Sequence, residues 1–376
     1  MFVLMPHLSL RRGLAAICLT STVFMSPAAF ALTFDQVCAL ATTINCWDFE
    51  NEDDLYYVWP TDTSCDNDTF LQNHPNGRNG FGLDRQGSKG DLIANTDNEA
   101  GACIYPARDG TFASSGNYSL KFTMPSQSGP ETSGDFNPVF KRLGEPPDST
   151  FARFGKGGEF WVRFSMRQSP ELITTSIEAS SGSFGGIKRI IVHGYRSSES
   201  LEETINDGFE RRVPQMYSDS GTEDYGIQDA AGCGLRNPDE ASSYPEPPCR
   251  RFKANVWRTY QIHVVVADNA EKDNGLVELY VDDEQQPIIR VTDSDMSGLE
   301  QDEPYTEQAV WDDVTNGYGK LTFTLFSTNK DPAQIHPEAY MWIDDVAISH
   351  VRVPLVTRST TGDTARPDSP TGLRVD

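Results

Sequence analysis

Two short stretches gather most of the residues that could do chemistry. "GEFWVRFSMR", residues 158–167, sets Trp161, Arg163 and Arg167 at alternate positions, and "FGGIKRIIVHGY", residues 184–195, holds Lys188, Arg189 and His193 among isoleucines and valine. An arginine fork binds a carboxylate or sulfate through two parallel hydrogen bonds. Histidine, whose ordinary pKa is about 6.5, serves as a general base near neutrality. A strand turns successive side chains to opposite faces, so Arg189, Ile191 and His193 are expected on one face. Arg189 and His193 would then stand roughly 13 Å apart, a sugar-unit spacing rather than a hydrogen-bond spacing. Two such strands side by side would make a trough in which Trp161 stacks on a sugar and the cations grip an acidic chain. The plain alternative is an ordinary polar face of an antiparallel sheet, with the histidine satisfied by a loop carbonyl.

The elements that must position these residues are strands. "NYSLKFTM" (117–124), "GEFWVRFSMR", "IKRIIVHG" (187–194), "TYQIHVVVAD" (259–268), "GLVELYVDD" (275–283), "KLTFTLFS" (320–327) and "YMWIDDVAIS" (340–349) all alternate with a period of two. "SLEETIND" (200–207) fits a short helix or a strand equally well. Long polar loops without helical crossovers predict an all-β antiparallel sandwich or jelly roll, and 376 residues, 38% hydrophobic, suffice for its core.

The first 31 residues have Arg11 and Arg12, an apolar run and a closing Ala29-Phe30-Ala31, the pattern of a secretory signal. No later run is long and apolar enough for a membrane span. A net charge of −24 argues against a nucleic-acid partner, which calls for a basic face. Beyond the signal, Cys38, Cys46, Cys65, Cys103, Cys233 and Cys249 form an even set in an exported chain. Disulfides 38–46, 65–103 and 233–249 are expected on proximity, out of fifteen pairings. The jelly-roll domain is expected over 32–353, followed by a polar linker over 354–366. Residues 367–376 look like the opening of a fibronectin type III segment.

In strand order and a few polar anchors, residues 155–350 loosely resemble the jelly-roll alginate lyases. Arg163-Phe-Ser-Met-Arg167 stands for an R-x-E-x-R strand, Ile191-Val-His193-Gly194 for Q-I-H-G, and "LTFTLFSTN" for a strand bearing a catalytic tyrosine. Ser165 replaces the family's Glu, Ile191 its Gln and Phe326 its Tyr, so Tyr217 in "VPQMYSD", beside Gln215, is the replacement phenol. "CWDFEN" (46–51), "VWRTYQIHVVV", "GLVELYVDD" and "YMWIDDVAIS" resemble the wider concanavalin A-like lectin and glucanase superfamily. That resemblance implies adjacent end strands and a structural Ca²⁺ at Glu50 and Asp344, with Asp48 or Asp345. The alternative for these acids is turn capping or plain exposure. Other "QIH" triplets, 261–263 and 334–336, are expected on an outer strand face and in a loop.

The function these readings favour is an exported, monomeric polysaccharide lyase that cleaves a uronic-acid-containing glycan by β-elimination and needs no cofactor for its chemistry. Arg163, Arg167 and Arg189 would neutralise the uronate, His193 would act as base, and Tyr217 as acid. Gln215 and Lys188 would help to bind the chain. The rivals are a non-catalytic carbohydrate-binding or adhesion module and, behind it, a glycoside hydrolase. Hydrolysis with retention needs two carboxyls about 5 Å apart, and no such pair is evident. Serine-hydrolase and phosphate-loop signatures are absent.

Overall fold

The computed structural model describes residues 31–58, 90–93, 104–129, 134–138, 140, 154–155, 157–178, 187–194, 202–206, 214–218, 252–266, 275–282, 285–292, 318–327 and 330–356. Residues 1–30, the cysteine pairs 65–103 and 233–249 and residues 357–376 lie outside them.

Among the described residues, fifteen strands form two sheets. In chain order they are β1 (Thr43–Trp47), β2 (Leu55–Val58), β3 (Gly90–Ile93), β4 (Ala107–Asp109), β5 (Ser119–Met124), β6 (Asp135–Asn137), β7 (Glu159–Gln168), β8 (Ile187–Gly194), β9 (Glu202–Asn206), β10 (Gln215–Ser218), β11 (Arg258–Val265), β12 (Leu276–Val281), β13 (Ile289–Thr292), β14 (Tyr318–Ser327) and β15 (Ala339–Ser349). The first sheet runs β13-β12-β11-β7-β15-β5-β4, with β1 also on β15. The second runs β10-β9-β8-β14-β6-β3-β2. Every ladder is antiparallel except β2 with β3. The fold is an all-β jelly-roll sandwich of largely antiparallel sheets. About half of the neighbouring pairs join strands that are not consecutive in the chain.

All seven alternating stretches become strands, and "SLEETIND" resolves to β9. Among the described residues helix is confined to short turns such as α1 (Phe34–Cys38) and α2 (Pro170–Thr174). A capping box between Thr33 and Gln36 starts α1, and a serine cap with proline at the first position starts α2. The Cys38–Cys46 disulfide is present. The adjacent end strands implied by the resemblance are also present: Cys46 pairs with Ala347 and Trp47 with Val346.

The core lies between the sheets. Phe160, Val162, Phe164 and Met166 of β7 meet Ile190 and Val192 of β8 and Leu321, Phe323 and Leu325 of β14. Phe164 packs edge-on to Phe323 at 5.4 Å, and Phe323 stacks on Phe136 at 6.0 Å. A smaller cluster covers the far face of the first sheet, where Phe34 and Val37 of α1 join Ala347, Val353 and Val356. Phe323→Ala would empty the central contact between the sheets. The expected loss is about 3–5 kcal/mol, read by urea denaturation.

Candidate functional site

The structure divides the expected cationic trough between three places. Arg163, Arg167 and Trp161 lie in the first sheet, on the face of β7 opposite Phe160, Val162 and Phe164. They are 1%, 8% and 7% exposed, and Trp161 and Arg167 are taken up by partners from the chain itself. Trp161 stacks at 3.9 Å on His263 of β11. Arg167 donates to the Asn255 carbonyl at 2.5 Å and covers the Phe112 ring at 4.0 Å. Arg163 stands in register between Gln261 and Ala347. Their forks are therefore part of a second packed layer, under α1, the C-terminal segment and the 112–118 loop.

Arg189 is corrected for another reason. Ile187, Ile190 and Val192 all enter the core, which strict alternation forbids. The register slips there, two residues of β14 (Thr324 and Leu325) standing against one of β8 (Arg189) between the pairs Phe323–Ile190 and Phe326–Lys188. This local irregularity re-aims a side chain, as bulges do. Arg189 turns inward, donating to Gln168 Oε1 at 2.9 Å with its guanidinium 4.2 Å from the ring of Phe252. Lys188 stays half-buried beside Phe326, its ammonium 5.6 Å from that ring. His193, Gln215 and Tyr217 are placed here by backbone register alone, their side chains lying outside the described residues.

The two remaining "QIH" triplets are occupied structurally. Gln261 exchanges hydrogen bonds with Val353 in both directions. His263 sits between Glu278 and Glu159 at 2.8 and 2.9 Å, with Tyr280 also donating to Glu278. His336 hydrogen-bonds the carbonyl of Pro337.

The acids proposed for calcium have a different role. Asp344 Oδ2 accepts from the backbone N–H of Ser114 at 2.7 Å and of Ser115 at 3.2 Å, and its Oδ1 from that of Asp345 at 2.8 Å. Burial and the neighbouring Asp345 carboxylate push Asp344 well above the usual carboxylate range, against the pull of these N–H donors. Glu50 Oε1 takes the N–H groups of Asn117 and Tyr118 at 2.6 and 2.8 Å. Asp48 accepts from the Glu50 N–H. A calcium site needs several oxygens turned toward one point. Among the described residues no group of three His, Cys, Asp or Glu side chains does this, and Glu50 and Asp344 face amide donors, so they do not fit the ion. They staple the 114–118 loop to the end strands instead.

The face that sequence reasoning missed is the outer side of the second sheet. Lys320, Thr322 and Thr324 alternate along β14 with the core residues Leu321, Phe323 and Leu325, and Asp135 and Asn137 flank Phe136 on β6. Lys320, Thr322, Thr324 and Asn137 are all 5% exposed or less, while Asp135 keeps partial solvent contact. Thr322 donates to Asn137 Oδ1 at 2.5 Å. Burial lowers the Lys320 ammonium to about 7, the charge of Asp135 opposing this. Burial raises Asp135 to about 6, against a Thr324 hydrogen bond and the charge of Lys320. By register His193 pairs with Lys320, and a transverse row runs Tyr217, Thr204, Ile191, Thr322 across β10, β9, β8 and β14. The Thr322–Asn137 bond carries the row onto β6, and pairing extends it through Asp91 to Tyr56. Seven strands at about 4.8 Å make this row about 29 Å long. Its signal in the sequence was a lysine, two threonines and an asparagine interrupting apolar strands.

Among solved structures, the chain is similar to an endo-beta-1,4-glucuronan lyase from the fungus Trichoderma reesei, at 10% identity over 66% of this chain and 88% of that one, with a TM-score of 0.38. It is similar to a mutant of alginate lyase Aly36B in complex with alginate trisaccharide, at 10% identity over 64% and 85%, TM-score 0.38. It is also similar to alginate lyase A1-II', at 12% identity over 69% and 93%, TM-score 0.37. At such values no residue role is carried over from them. No protein-family model matches the chain, and no curated protein does.

Two predictions follow from these contacts. Gly116 has φ +63°, and a Cβ there would overlap the Glu50 carboxylate; Gly116→Ala should cost about 2 kcal/mol or more, measured by denaturant titration with equal results in calcium and in chelator. The second concerns Lys320, whose folded pKa lies below its unfolded value of 10.5. Between about pH 7 and 10.5 the unfolded chain holds the proton that the folded chain has released, so stability should rise with pH across that window. The rise should be smaller in Lys320→Met.

Proposed function

We propose that the outer face of the second sheet binds a uronic-acid-containing polysaccharide and cleaves it by β-elimination, after export of the chain. The observation that carries this reading is Lys320: an enclosed lysine held near pKa 7 beside Asp135, Thr322 and Asn137, and opposite His193 in register. A lysine so shifted is substantially neutral at physiological pH and accepts a proton, which an ordinary lysine does not.

In the elimination, Lys320 takes the proton on the carbon next to the uronate carboxylate. That C–H electron pair becomes the carbon–carbon double bond, the glycosidic C–O bond breaks, and the departing oxygen gains a proton. His193 or Tyr217 supplies that proton. The arginines first expected to neutralise the carboxylate are committed to packing, so this task falls to donors on the second sheet. No metal is required by this route. Among the described residues no helix is long and apolar enough to cross a membrane.

The test is incubation with alginate, glucuronan, hyaluronan and pectate while following the ultraviolet absorbance of unsaturated ends. Activity should rise through about pH 7 as Lys320 loses its proton. Lys320→Met and Lys320→Arg should each lower kcat at least about a hundredfold, with the melting temperature of Lys320→Met not reduced. New reducing ends without absorbance would replace elimination by hydrolysis. Retention of a polysaccharide with neither signal would make the chain a binding module.

A further inference from the structure

Asn137 holds a buried amide donor in the interior of the second sheet. Its side chain is 1% exposed, its Oδ1 is taken by Thr322, and its Nδ2 has no hydrogen-bond partner. An enclosed amide donor left in this state is costly, and the cost is recovered only when an acceptor reaches it. The residue stands mid-row between Thr322 and Asp91, on the face that carries Lys320. What fits here is an acceptor that tolerates a nearby ammonium and supplies oxygens to both amide hydrogens. A carboxylate does so and a sugar hydroxyl does so less well, because hydrogen bonds to a charged acceptor are the stronger ones.

We infer that Asn137 is the group that receives the uronate carboxylate, and that it sets the preference for acidic over uncharged sugar chains. The inference rests on the second sheet being the glycan face, and needs no bond cleavage. By holding the carboxylate through a neutral amide, Asn137 would favour the more negative form that develops as the adjacent proton leaves. Thr322 is then a positioning residue, since its hydroxyl fixes the amide by holding Oδ1.

The test is affinity electrophoresis of the full chain in gels containing each of the four uronate polymers, as free acid and as methyl ester. The wild type should be retained more by at least one free acid than by its ester. Asn137→Ala should reduce that acid-to-ester ratio about tenfold, and Asn137→Asp further, by setting like charges together. Thr322→Val should show a partial loss. Damage to the fold would weaken retention by acid and ester alike, and the melting temperature of both Asn137 variants reports it directly. An unchanged ratio in a folded Asn137→Ala overturns the assignment while leaving the glycan face in place. Equal retention of acid and ester by the wild type overturns it too, and so does retention of neither, which also removes the glycan face. A reduced ratio in a protein that yields no unsaturated ends supports Asn137 and removes only the elimination step.

Discussion

The contact of Phe164 with Phe323, and of Phe323 with Phe136, sets the terms for the whole molecule. Once these rings close the space between two sheets, alternation sends every neighbouring residue to an outer face. Polar groups can then sit only on those two faces or at the strand ends. Where a polar group does enter the interior, as Arg189 does, a break in strand register accompanies it, and Gln168 of the opposite sheet accepts its hydrogen bond.

The two outer faces are used differently. On the first sheet the charged side chains are consumed by other parts of the chain. Arg167 holds Asn255 and Phe112, His263 joins Glu159 to Glu278, and Asp344 and Glu50 hold the 114–118 loop. Such networks give rigidity, because their polar atoms are largely partnered within the chain. On the second sheet the groups remain in states that burial disfavours: Lys320 near 7, Asp135 near 6, and the Asn137 amide without an acceptor. Perturbed groups gathered on one face mark a functional site more often than a packed layer.

Much of the architecture was legible from local pattern. Alternation identified β5, β7, β8, β11, β12, β14 and β15, because each buries one full apolar face and so repeats every two residues. Short strands such as β4, β6 and β13 passed unnoticed, since three or four residues carry too little period. The candidate site was read from charge and spacing, which favoured Arg163, Arg167 and Arg189. That criterion misses Lys320 and Asn137, whose distinction comes from enclosure and not from residue type.

The sequence alone determined that the chain is a strand-built sandwich with alternating faces and that Cys38 can bridge to Cys46, because these follow from local periodicity and proximity, while its resemblance to a known superfamily implied that its end strands lie together. Only the tertiary structure decided which sheet each strand joins. That choice, made by contacts between residues far apart in the chain, put Arg163 and His193 in different sheets. It also placed Lys320 and Asn137 where desolvation changes what a lysine and an amide can do.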